Sequence, residues 1–192
     1  MRYALIGDLH SNIDDTKAVL NHIKSMQQPL EIIALGDLFE CTISKKKAQK
    51  ATAIPLHDAA DIKRSFLELL TFPSIIGNQE QRIMAATDTK IFSTMPETLS
   101  IDGARLIHGH QFDWSDDWVA DPKKFSEHLV FFGHSHQSML LRKGKQKKFK
   151  FNDSMHLKKK RYSINVGSVV HNREWCLYDS DTRTITFMKA HE

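Results

Sequence analysis

The sequence predicts an α/β protein, and three observations support this fold class. A short apolar run at residues 3–7, a helix-like segment from residue 14 and a second apolar run at 31–35 follow one another, which is the order of a parallel strand pair with a helical crossover. The second half carries hairpin signals instead, such as Asp102-Gly103. Lastly, several apolar runs end directly in polar motifs, as strands do when they lead into a ligand site.

The first helix is predicted from charge and spacing. Asp14 and Asp15 place negative charge where a helix begins, which the helix dipole favours. Val19, Ile23 and Met26 then recur at i, i+4 and i+7 and give the helix one apolar face.

The elements that follow are predicted from the same two periodicities. Lys45 to Lys47 suggest a helix or lid over the site, apolar spacing predicts a helix over 58–70, and 74–76 is expected to be a third short strand before a helix near 82–86. The further predictions are a hairpin at 98–107, a helix from Asp121-Pro122, strands at 129–132 and 163–168, a basic hairpin at 138–151 and closing strands at 175–178 and 184–188.

Composition is that of an ordinary globular chain, and it limits the alternatives. The 192 residues are 41% hydrophobic and 26% charged, and we predict one domain over residues 1–192. No apolar run reaches about 18 residues and the first residues lack a signal-peptide pattern, so the expected location is cytoplasmic, with no membrane partner. Cys41 and Cys176 are too few for a disulfide framework or a zinc–thiolate cluster, and we expect free thiols.

Positive charge is concentrated in one segment. Residues 142–161 hold ten Lys or Arg against Asp153 alone, a charge of +9 in a chain whose net charge is +4. Such a segment could steer an anionic substrate or bind nucleic acid or a membrane surface. A solvated hairpin that lysine keeps soluble is the alternative.

Seven polar residues directly follow five apolar runs. They are Asp8 with His10, Asp37, Asn78, His108, and His134 with His136. Because ligands bind at the carboxyl ends of strands in α/β proteins, we expect these side chains to share one crevice. A nitrogen and oxygen set without thiolate suits Mn, Fe, Zn, Ni or Co, and seven ligands fit two ions that share a carboxylate better than one open ion. Ordinary loop residues are the alternative interpretation.

The motifs Asp8-Leu9-His10, Gly36-Asp37, Gly77-Asn78, His108-Gly109-His110 and Gly133-His134-Ser135-His136 resemble those of the calcineurin-like metallophosphoesterases, a family of two-metal phosphoesterases. The chain length and the segment 165–168 are most similar to its small YfcE-type phosphodiesterase branch. The resemblance implies a four-layer α/β/β/α sandwich of two mixed sheets.

The resemblance also implies roles for these residues. Asp8, His10, Asp37 and His136 would hold one divalent ion, and Asp37, Asn78, His108 and His134 would hold the other, with manganese the favoured metal. Asp37 and Asn78 would serve catalysis, in which a hydroxide that bridges the metals attacks phosphorus. The implied function is hydrolysis of a small phosphorylated metabolite or nucleotide by a phosphodiesterase or phosphatase.

One position departs from the family pattern. Gln79 stands where many members have a histidine that protonates the leaving group, and an amide cannot act as a general acid. We predict His110 as a substitute acid and a preference for leaving groups that need no protonation. Asn12 and Gln79 are predicted to contact substrate, with helix capping the alternative for Asn12, and Glu40 to support His10, with a solvated carboxylate the alternative.

Two other functions compete with this interpretation. A nuclease or nucleic-acid-end phosphatase would use the basic segment 142–161, whose interleaved aromatic residues are only Phe149, Phe151 and Tyr162. A non-catalytic protein-binding scaffold on the same fold is the other, although such scaffolds tend to lose ligands and all seven are present here. The sequence predicts no oligomeric state.

Overall fold

A computed structural model describes residues 1–50, 53–112 and 125–191. The strands are β1 (Arg2–Ile6), β2 (Glu31–Ala34), β3 (Glu40–Cys41), β4 (Ala60–Asp61), β5 (Thr98–Ile101), β6 (Ala104–Ile107), β7 (Leu129–Phe132), β8 (Ser138–Arg142), β9 (Lys145–Lys147), β10 (Ser154–His156), β11 (Tyr162–Val166), β12 (Glu174–Asp179) and β13 (Thr184–Lys189). The helices are α1 (Ile13–Ser25), α2 (Lys45–Ala48), α3 (Leu56–Ala59), α4 (Arg64–Leu67) and α5 (Asn78–Thr87).

Most strands belong to two large sheets, and both sheets are mixed. The five-stranded sheet has the order β10-β13-β12-β1-β2, in which β1 and β2 are parallel and the other pairs antiparallel. The six-stranded sheet has the order β5-β6-β7-β11-β8-β9, with β7 parallel to both β6 and β11. A short third sheet pairs β3 with β4.

Side-chain alternation along the strands explains why these sheets stack. In β1, Tyr3 and Leu5 join the core between the two sheets, whereas Ala4 and Ile6 join a second core that includes Val19 of α1. Successive side chains of a strand point to opposite faces, so a run that is apolar throughout is buried on both sides. The helices therefore cover the outer face of the five-stranded sheet.

The six-stranded sheet is apolar on both faces in the same way. Phe131 of β7 packs into the core between the sheets, and its neighbours Val130 and Phe132 pack into a third cluster, on the other face of that sheet, together with Phe112. The α/β class and the two mixed sheets are confirmed, and the layering is consistent with the expected sandwich. The helix predicted from Asp121-Pro122 lies outside the described residues.

Two predicted elements are wrong. The helix over 58–70 is replaced by α3, β4 and α4, because Ala60 and Asp61 pair with Cys41 and Glu40 in a sheet, and a remote strand pairing outweighs local apolar spacing. The strand at 74–76 is reduced to a single parallel bridge between Ser74 and Ala34. The helix expected near 82–86 begins earlier, at Asn78.

Strand direction decides where the polar motifs meet. Strands β1 and β2 run parallel, as do β6 and β7, so within each sheet the two carboxyl ends lie at the same edge. The two edges adjoin: the side chain of His108 after β6 contacts the carbonyl of Leu35 after β2, with 2.6 Å between Nδ1 and the oxygen. Ligand candidates from both sheets therefore share one crevice.

Candidate metal centre

The first cluster of candidate ligands consists of Asp8, His10 and His136. Asp8 and His10 follow β1, and His136 follows β7. His10 Nε2 lies 3.2 Å from His136 Nε2, and His136 Nε2 lies 3.4 Å from Asp8 Oδ1. One potential ligand atom from each of the three residues lies within 4.8 Å of the others.

The second cluster consists of Asp37, His108 and His134, which also offer one potential ligand atom each within 4.8 Å of the others. His108 Nε2 lies 3.3 Å from Asp37 Oδ2 and 3.0 Å from Asn78 Oδ1. Asn78 thereby lies beside this cluster, the group to which the family resemblance assigned it. The structure brings together all seven predicted ligands in the two predicted groups, while their role as ligands stays a prediction.

One carboxylate oxygen stands between the clusters. Asp37 Oδ2 lies 3.3 Å from His108 Nε2 and 3.8 Å from His10 Nε2. The other oxygen, Oδ1, accepts a hydrogen bond of 2.8 Å from the backbone N–H of Gln79. Asp37 is therefore held by one oxygen and presents the other to both groups of histidines.

The backbone around the clusters is strained. Five of the seven predicted ligands have φ between 48° and 70°, a region that costs non-glycine residues free energy: Asp8, His10, Asp37, His134 and His136. Glycine allows the close approaches that this backbone needs. A Cβ on Gly133 would lie 2.5 Å from Asp8 Oδ2, and one on Gly77 would lie 2.9 Å from Asp37 Cγ.

Two buried polar residues hold these loops. The carboxylate of Glu80 accepts hydrogen bonds from the backbone N–H groups of Asp37, Phe39 and Gly77, at 3.0, 3.0 and 2.8 Å. The amide nitrogen of Asn165 donates to the carbonyl of Gly133 at 2.7 Å, so that it fixes the turn that precedes His134. Each residue satisfies backbone groups that burial would otherwise leave unpaired.

Two histidines are oriented by hydrogen bonds at Nδ1, the ring nitrogen that points away from the clusters. His108 Nδ1 donates to the Leu35 carbonyl, so Nε2 faces Asp37 and Asn78 and is the nitrogen that would bind a metal once its proton is lost. His10 Nδ1 lies 2.5 Å from Glu40 Oε2, which likewise leaves Nε2 facing the first cluster. A carboxylate behind a histidine is a frequent arrangement at metal sites.

The protonation of these histidines follows from their neighbours. Burial lowers the pKa of His108, but attraction to Asp37 and hydrogen bonding outweigh it and raise the pKa to about 9. Burial also lowers the pKa of His10, and the hydrogen bond with Glu40 and the charge of Asp37 raise it above its usual range. Without a metal ion, protons on these two histidines are therefore the charges that balance the carboxylates.

The donor set fits divalent cations. Asp37 Oδ2 and Asn78 Oδ1 have no proton to donate, and they converge with His108 Nε2, which would become a third electron-pair donor when a cation displaces its proton. Carboxylate, amide oxygen and imidazole are ligands of first-row divalent metals. The residues present can thus hold the metals that the sequence predicted.

Asn12 and Gln79, which are predicted to contact substrate, both form hydrogen bonds within the protein. Asn12 caps α1, because its Oδ1 accepts a 2.9 Å hydrogen bond from the backbone N–H of Asp15. Gln79 Oε1 accepts from the backbone N–H of Cys41 at 3.3 Å and from the guanidinium of Arg82. A substrate contact by Asn12 or Gln79 stays a prediction.

His110 lies beside His108 and His134, with ring centroids 5.3 and 6.4 Å away. Burial and repulsion from a protonated His108 lower the pKa of His110 to about 4. The imidazole is then neutral at pH 7, which makes it a weak general acid in the free protein. Its catalytic role stays a prediction.

Sequence reasoning assigned no role to Glu80, Asn165 or Arg82. A signal existed for Glu80, since a glutamate three residues after a helix N-cap can accept from the N-cap backbone N–H, here that of Gly77 at 2.8 Å. The contacts of Asn165 with Gly133 and of Arg82 with Cys41 gave none, because each joins residues more than 30 positions apart in the chain.

Comparisons with known proteins agree with this geometry. A family model described as the calcineurin-like phosphoesterase superfamily domain matches residues 1–183. The uncharacterized protein MJ0912 of Methanocaldococcus jannaschii is 25% identical over 97% of this chain and 86% of its own length. The crystal structure of a metallophosphoesterase from Sphaerobacter thermophilus superposes with a TM-score of 0.69 at 17% identity, covering 100% of this chain and 89% of that one.

The fold and the two histidine–carboxylate clusters define a metal-dependent phosphoric ester hydrolase. The chain belongs to the calcineurin-like phosphoesterase superfamily. Solved structures similar to it include YfcE, a phosphoesterase from E. coli, at 15% identity, full coverage of both chains and a TM-score of 0.45. A similarity at that level carries no argument about activity.

Proposed function

We propose that this protein is a dinuclear-metal-dependent phosphoesterase that hydrolyses a small phosphorylated metabolite or nucleotide. The observation that carries the proposal is the position of Asp37 Oδ2, 3.3 Å from His108 and 3.8 Å from His10. A single oxygen that faces both clusters is what two cations need if they are to bind side by side, because an anion between them reduces their mutual repulsion.

The chemistry divides between metals and chain. Two bound cations would lower the pKa of a bound water and neutralise charge on a phosphoryl group. The chain fixes the carboxylate of Asp37 through the Gln79 N–H, and Asn78 adds an oxygen without a further negative charge. Burial lowers the pKa of His110 in the free protein, so its imidazole donates a proton poorly to a leaving group, which supports the preference for aryl, acyl or diester leaving groups.

Hydrolysis of model esters tests the proposal. The metal-free protein is assayed with bis-p-nitrophenyl phosphate and p-nitrophenyl phosphate, and again after addition of Mn²⁺, Fe²⁺, Zn²⁺, Ni²⁺ or Co²⁺. We expect turnover only with metal, highest with Mn²⁺, and a loss of at least about 100-fold in Asp37→Asn, because an amide cannot supply the charge that holds both ions. The ratio of diester to monoester turnover then assigns phosphodiesterase or phosphatase.

The control variant is Asp58→Asn, which removes an exposed carboxylate outside the clusters. Its turnover should match that of the unmodified protein. Full activity in Asp37→Asn, or activity that survives complete metal removal, would contradict the proposal. Two metal ions bound per chain without turnover of either ester would indicate a more selective substrate, whereas a protein that binds no metal at all would favour the scaffold function instead.

The nuclease alternative rests on the basic segment 142–161. The position of this segment relative to the metal centre gives the alternative little support. Strand β8 begins at Ser138 beside the site and runs antiparallel to β11, so the turn at Lys143-Gly144 lies at the opposite end of the sheet. Phe149 and Phe151 pack against the core between the sheets, which uses the faces that bases would stack on. Steep salt dependence of RNA or DNA binding would support this alternative.

None of the helices in the described residues has the length and apolar character needed to cross a bilayer. The cytoplasmic location stays a proposal that rests on the sequence pattern.

A further inference from the structure

A cavity of about 440 Å³ opens beside the second cluster. Asn78, His110 and His134 contribute to its wall. Along α5 the wall continues through Arg82 and Ala85, which share one helical face with Asn78 at i, i+4 and i+7. Seven residues of helix span about 10 Å, so the cavity extends that far from the metal centre along the helix.

The part of the wall that lies away from the clusters is basic. Arg82 of α5 and Lys45 of α2 both line it, and no Asp or Glu is among the lining residues that the structure describes. Small side chains, Ala48 and Ala85, leave the space between the two helices open. Two cations that face one cavity without a carboxylate create a positive potential there.

Among the arginines that have no carboxylate partner within the described residues, Arg82 is the one that lines this cavity. Arg2, Arg64, Arg105 and Arg173 each form an ion pair with a carboxylate. Within the described ranges, Arg82 has no carboxylate partner; its Nη2 donates to the oxygens of Gln79 and Cys41, and its buried Nε has no hydrogen-bond acceptor. A partly buried guanidinium that is anchored yet lacks a counter-anion is prepared to receive one.

We propose that Lys45 and Arg82 form a subsite for a second anionic group, a phosphate or carboxylate, on the leaving-group side of the substrate. The inference rests on the proposed phosphoesterase function and narrows its substrate to phosphoesters whose leaving group is itself negatively charged. The volume is within the usual range for small-ligand sites and can hold a sugar- or nucleotide-sized leaving group. Lys45 and Arg82 thereby determine specificity, while the clusters perform the reaction.

Matched esters test the subsite by turnover. The substrates are phenyl phosphate, 4-carboxyphenyl phosphate and 4-(phosphonomethyl)phenyl phosphate, with the metal that supports hydrolysis. In Lys45→Gln and in Arg82→Gln, kcat/KM for the two charged esters should fall about tenfold more than kcat/KM for phenyl phosphate, equivalent to about 1.4 kcal/mol. Arg82→Lys should recover part of the loss. Comparison of the two charged esters shows whether the subsite prefers a carboxylate or a phosphonate. Lys47→Gln, in the same short helix but outside the cavity wall, is the control and should be neutral.

Binding separates this inference from the proposed function. Calorimetry compares benzylphosphonate with 1,4-phenylenebis(methylphosphonate), neither of which is hydrolysed, on the metal-loaded protein and on the Lys45→Gln/Arg82→Gln double variant. We expect the diphosphonate to bind at least about tenfold more tightly than the monophosphonate, and the double variant to lose that difference.

Equal losses on all three esters, or a diphosphonate preference that persists in the double variant, would overturn the subsite even if the protein is an active phosphoesterase. A preference that depends on both residues in a protein without turnover would preserve the subsite and refute the proposed function.

Discussion

Asp37 has two oxygens with different tasks, and this division explains much of the site. Oδ1 accepts from the Gln79 N–H, and Oδ2 faces His10 and His108. Burial raises the pKa of Asp37, but the nearby His108 and the Gln79 hydrogen bond lower it by more. The net pKa is below the usual value, so the side chain is ionised at neutral pH. An ionised, oriented carboxylate is available for metal binding without rearrangement.

Gln79 shows how a departure from the family pattern is accommodated. Its backbone orients Asp37, and its side-chain oxygen accepts from Arg82 and Cys41. The amide is thus part of the support for Arg82 in the cavity wall. The residue that replaces the usual histidine connects the metal centre with the proposed anion subsite.

Glu40 gives a prediction at the residue scale. Because its carboxylate lies 2.5 Å from His10 Nδ1, replacing it by glutamine should weaken the orientation and basicity of His10. We expect Glu40→Gln to raise the Kd of the ion at the first cluster about 10- to 100-fold, and to leave the second ion nearly unchanged. Competition with a chelating dye measures both constants.

Glu68→Gln, which changes an exposed glutamate at the C-terminal end of α4, is the matched control and should change neither constant. Unaltered affinity for both ions in Glu40→Gln would show that Glu40 is a solvated loop carboxylate, the alternative that the sequence left open.

At the scale of elements, helix termini and loops hold the site together. The N-terminus of α5 supplies Asn78 and Glu80, and Glu80 binds the loop after β2 through two N–H groups. Helix α1 is tied to the loop between β11 and β12, because Asp15 accepts from the backbone N–H of His171 at 2.9 Å and from Arg173 Nε at 2.7 Å. The amide of Asn172 in that loop donates to the carbonyl of His136.

Asp15 gives a prediction about pH. Burial raises its pKa, but the hydrogen bonds from Arg173 and His171 lower it below the usual value. A lowered folded-state pKa means that the stabilisation is complete above about pH 4 and is lost as pH falls through the folded pKa. Asp15→Asn should therefore cost about 2 kcal/mol of unfolding free energy at pH 7, and progressively less below pH 4.

Urea unfolding at pH 7, 5 and 3 measures this dependence. Asp14→Asn removes the same charge from the same helix turn at an exposed position, so it serves as the control for the helix dipole. If both variants lose the same free energy at every pH, the contacts of Asp15 with the loop contribute nothing.

For the whole molecule, the decisive feature is that the clusters combine both sheets. Asp8, His10 and Asp37 follow strands of the five-stranded sheet, whereas His108, His134 and His136 follow strands of the six-stranded sheet. Elsewhere the two sheets meet largely through apolar packing, as between the rings of Phe131 and Tyr178, whose centroids lie 5.0 Å apart. Bound metals would therefore join the sheets at one edge, in addition to any catalytic role.

Metal removal tests this consequence. A ligand whose free concentration is about a thousand times its Kd stabilises the folded state by about 4 kcal/mol. For a chain of this size we expect the Tm to fall by about 10 °C when the protein is stripped with EDTA and to recover on addition of Mn²⁺. Scanning calorimetry with parallel metal analysis measures the effect.

Asp37→Asn provides the control, since a variant that cannot hold both ions should show most of the loss before EDTA is added. Metal analysis shows whether the protein is fully loaded before EDTA and fully stripped after it. If the Tm is the same in these two states, metal does not join the sheets.

The sequence by itself determined the α/β class, the hairpin over 98–107 and the set of seven candidate ligands. These follow from local rules: a continuous apolar run marks a doubly buried strand, Asp-Gly marks a turn, and polar residues directly after such runs mark the carboxyl edge. The partition into two groups came from the family resemblance, and the structure brings the same residues together.

Only the tertiary structure decided the rest, because the deciding contacts join residues far apart in the chain. The pairing of residues 40–41 with 60–61 broke the helix expected over 58–70, despite its apolar spacing. Glu80 contacts a loop more than 40 residues away. Arg82 and Lys45 line the same cavity from two different helices. Local periodicity reports which face of a segment is buried; what that face meets depends on how the sheets and helices pack.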